Sequence, residues 1–228
     1  MSERVLITGA NGLIGRALVN KYLSNGNRVI AQVRDSNSIP PRENLEIHTF
    51  DFAKRSGAEL LSEVGQLDIL INNAANQEVV PISEISRAKF EEILRVNVIA
   101  PSELSVAAKA AGASRIVNLS SVEANVAKSG HEIYGASKAA LEALTRTLAN
   151  ALAPVRVNGI RLGLVGGPEL TDRWPAGVTN WKNAVAAKRY ASPEEVADFV
   201  FQITGKEFSY STGAIFDFDG GKSSSAGW

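Results

Sequence analysis

What most restricts this chain is the alternation of short apolar, β-branched runs with longer stretches of helical spacing. Arg4-Val5-Leu6-Ile7 is the first such run, followed by Arg28–Val33, Leu45–Phe50, Leu67–Ile71, Arg115–Leu119, Val155–Leu162 and Ala214–Phe218. Because these runs are apolar without strict alternation, they read as strands covered on both faces. Strands separated by helices pair in parallel, through crossovers. Between the first two strands, Leu13, Ile14, Ala17, Leu18 and Leu23 carry helical spacing, closed by Asn25-Gly26-Asn27. A helix is expected between Ile82 and Ala111, starting near Ser83–Ser86 and bent or interrupted at Pro101. Another should run from about Tyr134 to Ala153, and Ser192-Pro193-Glu194-Glu195 opens a last one with a capping-type start. The expected fold is α/β, a doubly wound parallel sheet of about seven strands with helices on both sides.

Composition removes several classes of function. At ~150 residues per domain, 228 residues fit one large domain, residues 1–228. Lys plus Arg (24) balances Asp plus Glu (24), so the chain lacks the basic field of a dedicated nucleic-acid binder. With no cysteine and only His48 and His131, neither a thiolate nor a multi-histidine metal site is expected. No apolar run approaches the ~18 residues of a membrane span, and MSERVLITGANG lacks the layout of a signal peptide, so a cytoplasmic location away from membranes is expected. No internal repeat or linker interrupts the pattern. Residues 223–228 read as a short polar tail, disordered or docked by Trp228.

TGANGLIG, Thr8 to Gly15, joins the first strand to the first helix. Glycines there let the backbone approach a pyrophosphate, and the helix start offers unpaired N–H groups and a positive dipole end. In this position the loop reads as a dinucleotide site, with Gly9, Asn11, Gly12, Leu13 and Ile14 as its contact residues. The second strand ends Ala31-Gln32-Val33-Arg34-Asp35. If Val33 takes the ribose position, no carboxylate repels a 2′-phosphate and Arg34 can pair with it, which favours NADP. If the register slips by two, Asp35 becomes the ribose acid and the preference turns to NAD. The first register is the preferred one.

Tyr134-Gly135-Ala136-Ser137-Lys138 places a phenol and an ammonium four residues apart, on one face of a helix. A free tyrosine titrates near pH ~10, and a neighbouring cation lowers that value toward useful acid–base chemistry. Upstream, Val117-Asn118-Leu119-Ser120-Ser121 ends a buried strand in hydroxyl residues. In an open α/β sheet the ligand crevice lies beyond the carboxyl ends of the strands, so Ser121 is placed to bond a substrate oxygen.

Taken in order and spacing, these segments resemble the short-chain dehydrogenase/reductase family, in its compact single-domain branch with a Rossmann-type sheet. The resemblance covers essentially the whole chain. It includes TGANGLIG, Asp51-Phe52, INNAA (Ile71 to Ala75), Arg95-Val96-Asn97, Leu119-Ser120-Ser121, YGASK, VRVNGIRLG (Val155 to Gly163), SPEEVA and TGAIFDFDGG (Thr212 to Gly221). It implies hydride transfer between a nicotinamide and a carbonyl or alcohol carbon. Tyr134 would exchange the proton and Ser121 would hold the substrate oxygen. Lys138 would lower the Tyr134 pKa and bind ribose hydroxyls, and Asn97 would anchor a water leading to solvent. Asn73, Ala74 and Ala75 would line the cofactor, Asp51 and Phe52 would lie at the adenine, and Val165 would reach the carboxamide. The resemblance also implies a homodimer or homotetramer built on the alanine-rich helix from Gly135 to Ala153.

Four positions depart from the family pattern. Leu13 stands where the compact branch has a glycine, Ala75 replaces another glycine, Leu162 replaces a proline, and Gly167 sits where a threonine often holds the cofactor. Residues 164–190 take the place of the family's substrate lid. Their Trp174, Trp181, Leu170 and Val178 suit either closure over a small apolar or aromatic carbonyl compound or a structural loop whose tryptophans fill core or subunit contacts. Asn125 to Ile133 should form the facing wall, where His131, a lone loop histidine, reads as a bystander. An NADP(H)-dependent carbonyl reductase or alcohol dehydrogenase is the main expectation. A cofactor-sensing protein without turnover is the alternative, and the glycine spacing alone would suit an epimerase-type enzyme.

Overall fold

A computed structural model describes residues 2–35 and 38–224. Seven parallel strands, β1 (Arg4–Ile7), β2 (Arg28–Val33), β3 (Leu45–Thr49), β4 (Ile69–Asn72), β5 (Arg115–Ser121), β6 (Arg156–Leu162) and β7 (Ile215–Phe218), form one sheet in the order β3-β2-β1-β4-β5-β6-β7. Register is fixed at the centre, where Val5 lies opposite both Val29 and Ile69. The order reverses between β1 and β4, and this switch point opens a crevice at the carboxyl ends of the strands.

Alternation along the central strands feeds two cores. Val5 and Ile7 point to one face, with Leu18, Tyr22, Val196 and Val200 from α1 (Leu13–Ser24) and α8 (Pro193–Thr204). Leu6 and Leu70 point to the other, with Leu60 of α2 (Gly57–Val64) and Leu104 of α4 (Ala100–Ala110). Continuous apolar strands are therefore covered on both sides, as their composition requires. Edge strand β3 is only partly buried.

Three elements differ from the sequence expectation. Helix α2 has no counterpart in it. The helix expected over Ile82–Ala111 starts later: after a tight turn at Ile82–Glu84, α3 (Arg87–Leu94) starts from Ser86 and passes through a π-helical turn, Arg95–Ile99, into α4. The interruption expected of Pro101 is this turn: a proline there cannot donate to the carbonyl four residues back, that of buried Asn97. Residues 164–190 are more regular than expected, with α6 (Leu170–Arg173) and α7 (Pro175–Ala184). Helix α5 spans Glu132–Ala151. Trp228, the expected docking residue of the tail, lies outside the described residues. No helix among the described residues is long and apolar enough to cross a membrane.

Candidate active site

A cleft of about 1170 Å³ runs across the carboxyl ends of the strands, from Arg34 and Asp51 at one end to Tyr134 and Trp174 at the other. The sequence-derived residues Gly9, Asn11, Gly12, Leu13, Ile14, Phe52, Asn73, Ala74, Ala75, Ser121, Lys138 and Val165 all line it. Asn97 does not; it is fully buried behind the wall.

The middle of the cleft is built for an anion. The first bond within α1 runs from Arg16 N to Gly12 O (2.9 Å), so the amides of Leu13, Ile14 and Gly15 precede the helical ladder. No acidic side chain occupies that first turn. The backbone packs too closely for side chains: a Cβ on Gly15 would lie 2.3 Å from Gly9 O, and one on Gly9, already at φ +62°, 2.9 Å from Ala74 Cα. Leu13, the departure from the family's glycine, is half exposed and leaves this cradle intact. Its donor set and its dipole both suit a pyrophosphate.

Buried polar groups hold the cradle in place. Thr8 Oγ1 accepts from the amides of Asn73 and Ala74 (both 2.9 Å), and Asn73 Nδ2 returns a bond to Thr8 O (2.8 Å). Gln32 Oε1 accepts from Gly9 N (2.8 Å) while its Nε2 donates to Phe50 O (2.6 Å), tying the loop to the end of β3. At the adenosine end Val33 is fully buried and Arg34 lines the cleft, whereas Asp35 does not. Asp51 Oδ1 accepts from Ala53 N (3.0 Å) and so stabilises its own turn at the rim.

At the opposite end α5 begins beside the carboxyl end of β5. The spacing argument holds: Tyr134 and Lys138 are both buried and both face the cleft. The Ser121 and Gln77 side chains are the polar groups that favour the ionised phenol. Lys138 Nζ donates to Leu119 O (2.8 Å) and lies 5.7 Å from the Tyr134 ring centroid. Burial pushes its pKa down to about 8. The expected lowering of the Tyr134 pKa is not what this arrangement gives. Burial raises it, Glu123 adds to the rise, and the polar side chains of Ser121 and Gln77 only partly offset it. The ammonium is spent on a carbonyl rather than on the phenol oxygen.

Asn97 is clamped at three points. Its Oδ1 accepts from Asn76 N (2.7 Å), and its Nδ2 donates to Asn76 O and Ser137 Oγ (both 2.9 Å). Ser137 Oγ donates to Tyr134 O (2.6 Å), which links the π-turn to the helix that carries the phenol. Ser120 Oγ donates to Glu142 Oε1 (2.8 Å). Buried Glu142 is also gripped by Arg161 (2.9 and 2.6 Å), which reaches Asp217 (2.7 Å). This network ties α5 to β5, β6 and β7, and like Thr8 and Gln32 it escaped the sequence reading.

Residues 164–190 lie over the same end. Val165 bridges to Ala191, and the Trp181 ring packs so closely that a Cβ on Gly163 would sit 2.7 Å from it. Trp174 and Trp181 give the cleft the apolar face expected of them. The opposite wall is mixed, for beside Val122, Val126 and Ala127 it presents Glu123, Lys128 and His131.

Residues 14–223 match the family profile described as enoyl-(acyl carrier protein) reductase. The chain belongs to the short-chain dehydrogenase/reductase family. It is 32% identical to L-xylulose reductase of Mesocricetus auratus, over 96% of each chain. A 4-hydroxyisoleucine dehydrogenase complexed with NADH superposes with a TM-score of 0.90 at 26% identity, covering 99% of this chain and 100% of the other. A protein assigned as an NAD(P)-dependent gluconate 5-dehydrogenase from Beutenbergia cavernae, with NADP at low occupancy, gives 0.87 at 28% identity, over 98% and 97%. As a short-chain dehydrogenase/reductase the protein is an NAD(P)-dependent oxidoreductase. The anion cradle and the adjoining apolar rim fit a nicotinamide dinucleotide.

Proposed function

We propose that this enzyme reduces the carbonyl group of a small molecule, or oxidises the matching secondary alcohol, with NADP(H) preferred over NAD(H). The carrying observation is that Ser121, Tyr134 and Lys138 meet at one end of a cleft whose middle is an anion cradle. A bound nicotinamide dinucleotide supplies or accepts the hydride. Ser121 Oγ donates to the substrate oxygen and holds it against Tyr134. The phenol then gives its proton to that oxygen during reduction and takes one back during oxidation. Lys138, with a pKa near neutrality, replenishes the phenol and bonds the neighbouring ribose hydroxyls. Asn97 positions the start of α5 and the water route behind it. Gly9, Asn11, Gly12, Leu13 and Ile14 receive the pyrophosphate, while Asp51 and Phe52 flank the adenine. Asn73, Ala74, Ala75 and Val165 close around the nicotinamide half.

Arg34 supports the NADP preference, because it follows buried Val33 directly and faces the cleft. A charge-assisted bond to a 2′-phosphate contributes about 1.5–3 kcal/mol. Fluorescence titration should therefore show Arg34→Ala losing tenfold or more in NADPH affinity and far less in NADH affinity. Tighter NADH binding by the wild-type protein, dependent on Asp35, would reverse the assignment. The substrate is a small carbonyl compound flanked on one side by Trp174 and Trp181. The proposal includes a cytoplasmic location and no nucleic-acid partner. It also includes a homodimer or homotetramer through α5, with Phe90, Ile99 and Val106 exposed on the adjoining helices.

A further inference from the structure

The wall facing the lid holds a pair that the proton relay leaves unused. Glu123 Oε2 and His131 Nδ1 lie 2.8 Å apart, and both atoms are sealed from solvent. The two atoms lie within hydrogen-bonding distance, although the angles fall outside those of a well-formed bond. Backbone bonds fix the histidine: its N–H donates to Lys128 O (3.1 Å) and its carbonyl accepts from Gly135 N (2.7 Å). The neighbouring loop is anchored by Val80 N on Gly130 O (2.9 Å) and Gly130 N on Glu132 Oε1 (3.2 Å). Lys128 Nζ reaches Glu123 Oε1 (3.2 Å) and lies 5.6 Å over the Trp174 ring, joining the pair to the lid.

A carboxylate at Nδ1 selects the tautomer that carries its proton there, which makes Nε2 an acceptor. Among the described residues no protein group bonds His131 Nε2, and the ring lines the cleft with its centroid 5.8 Å from that of Tyr134, edge to face. Glu123 follows Ser121 by two residues and His131 precedes Tyr134 by three, so the pair sits on the cleft wall beside those two side chains. We propose that His131, oriented by Glu123, accepts a hydrogen bond from a hydroxyl on the carbon next to the reacting one. Hydroxyketones and vicinal diols are then preferred to plain ketones and alcohols.

This inference rests on the proposed carbonyl chemistry, and its test separates the two. Acetoin, butanone and diacetyl share a four-carbon skeleton; only acetoin can donate from the neighbouring carbon. Wild-type kcat/KM with NADPH should favour acetoin over both others. The acetoin-to-butanone ratio should fall about three- to tenfold in His131→Leu and in Glu123→Gln, through KM rather than kcat, the size expected for one hydrogen bond. Glu123→Asp, which keeps the carboxylate, should restore part of it. A purely structural role would lower turnover of every substrate alike and leave the ratio unchanged, as would an unimportant pair. Either result, or a wild-type ratio near one, overturns the proposal. If none of the three is turned over, carbonyl reduction of such ketones fails as a reading. Calorimetric titration of acetoin and butanone into the protein with NADPH then decides the recognition claim alone. Tighter acetoin binding that His131→Leu abolishes supports it, and equal or undetectable binding of the two contradicts it.

Discussion

Lys138 is a buried cation whose one hydrogen-bond acceptor is a backbone carbonyl, and that environment disfavours its charge. With the folded-state pKa near 8 and the model-compound value at 10.5, the folded chain releases this proton first as pH rises. Between those values the unfolded chain binds more protons, so stability should increase with pH through this group, by about 3 kcal/mol at most. Near pH ~10 the sign reverses. Burial raises the pKa values of Tyr22 and Tyr134, so the unfolded chain ionises its phenols while the folded one keeps them neutral. Urea unfolding from pH 7 to 11 should show wild-type stability gaining on Lys138→Met up to about pH 10; parallel curves would count against a buried, depressed lysine. The phenol, the ammonium and the strand-end serine were legible because their chemistry follows from residue type and spacing. Thr8, Gln32 and Glu123 were not, since each acts through a partner that only the folded sheet and loops bring near.

At the scale of elements, apolar runs disclosed the central strands, because a strand buried on both faces leaves no other pattern, and β-branched and aromatic residues marked the partly buried edge strands β3 and β7. Helix α2 was missed: it is eight residues long and opens on Gly57, which weakens any helical signal, although Glu59 Oε1 on Ser56 N (3.1 Å) marks its start. The break at Asn97 was legible through Pro101, which cannot donate to that residue's carbonyl, but the form of the break, a π-turn, has no sequence mark of its own. The start of α8 was readable. Ser192 Oγ accepts from Glu195 N (3.1 Å), and Glu195 Oε2 accepts from Ser192 N (2.9 Å). Ser192→Ala should cost about 1 kcal/mol, measured as a Tm lower by roughly 2–4 °C. Close contact between elements gives a sharper test. A Cβ on Gly135 would lie 2.7 Å from the backbone oxygen of Glu123, so Gly135→Ala must displace the Val122–Ala124 turn that follows Ser121. Turnover should fall more than NADPH affinity, as assayed by steady-state kinetics beside fluorescence titration; equal losses would mean that the displacement spreads to the cradle.

Across the whole molecule, the sheet's switch point sets an anion cradle at the middle of one cleft and Ser121, Tyr134 and Lys138 at one end, which residues 164–190 and the loop around His131 enclose. Its apolar side could be read from the tryptophans. The charged side could not, because Glu123, Lys128 and His131 are scattered through a loop whose folding gathers them. The oligomer belongs to this scale also. Sedimentation equilibrium should give a dimer or tetramer, and Val106→Glu should weaken it if the α4–α5 face is the contact. The most direct trial of the account is the rate of NADPH oxidation at saturating cofactor, with the carbonyl compound best used by the wild type, compared between wild type and Tyr134→Phe. The rate should drop at least a hundredfold while NADPH affinity changes little. A phenylalanine variant within a few fold of wild type would show that Tyr134 does not carry the proton, and a wild type that binds NADPH yet oxidises it with no carbonyl compound would point to a sensor.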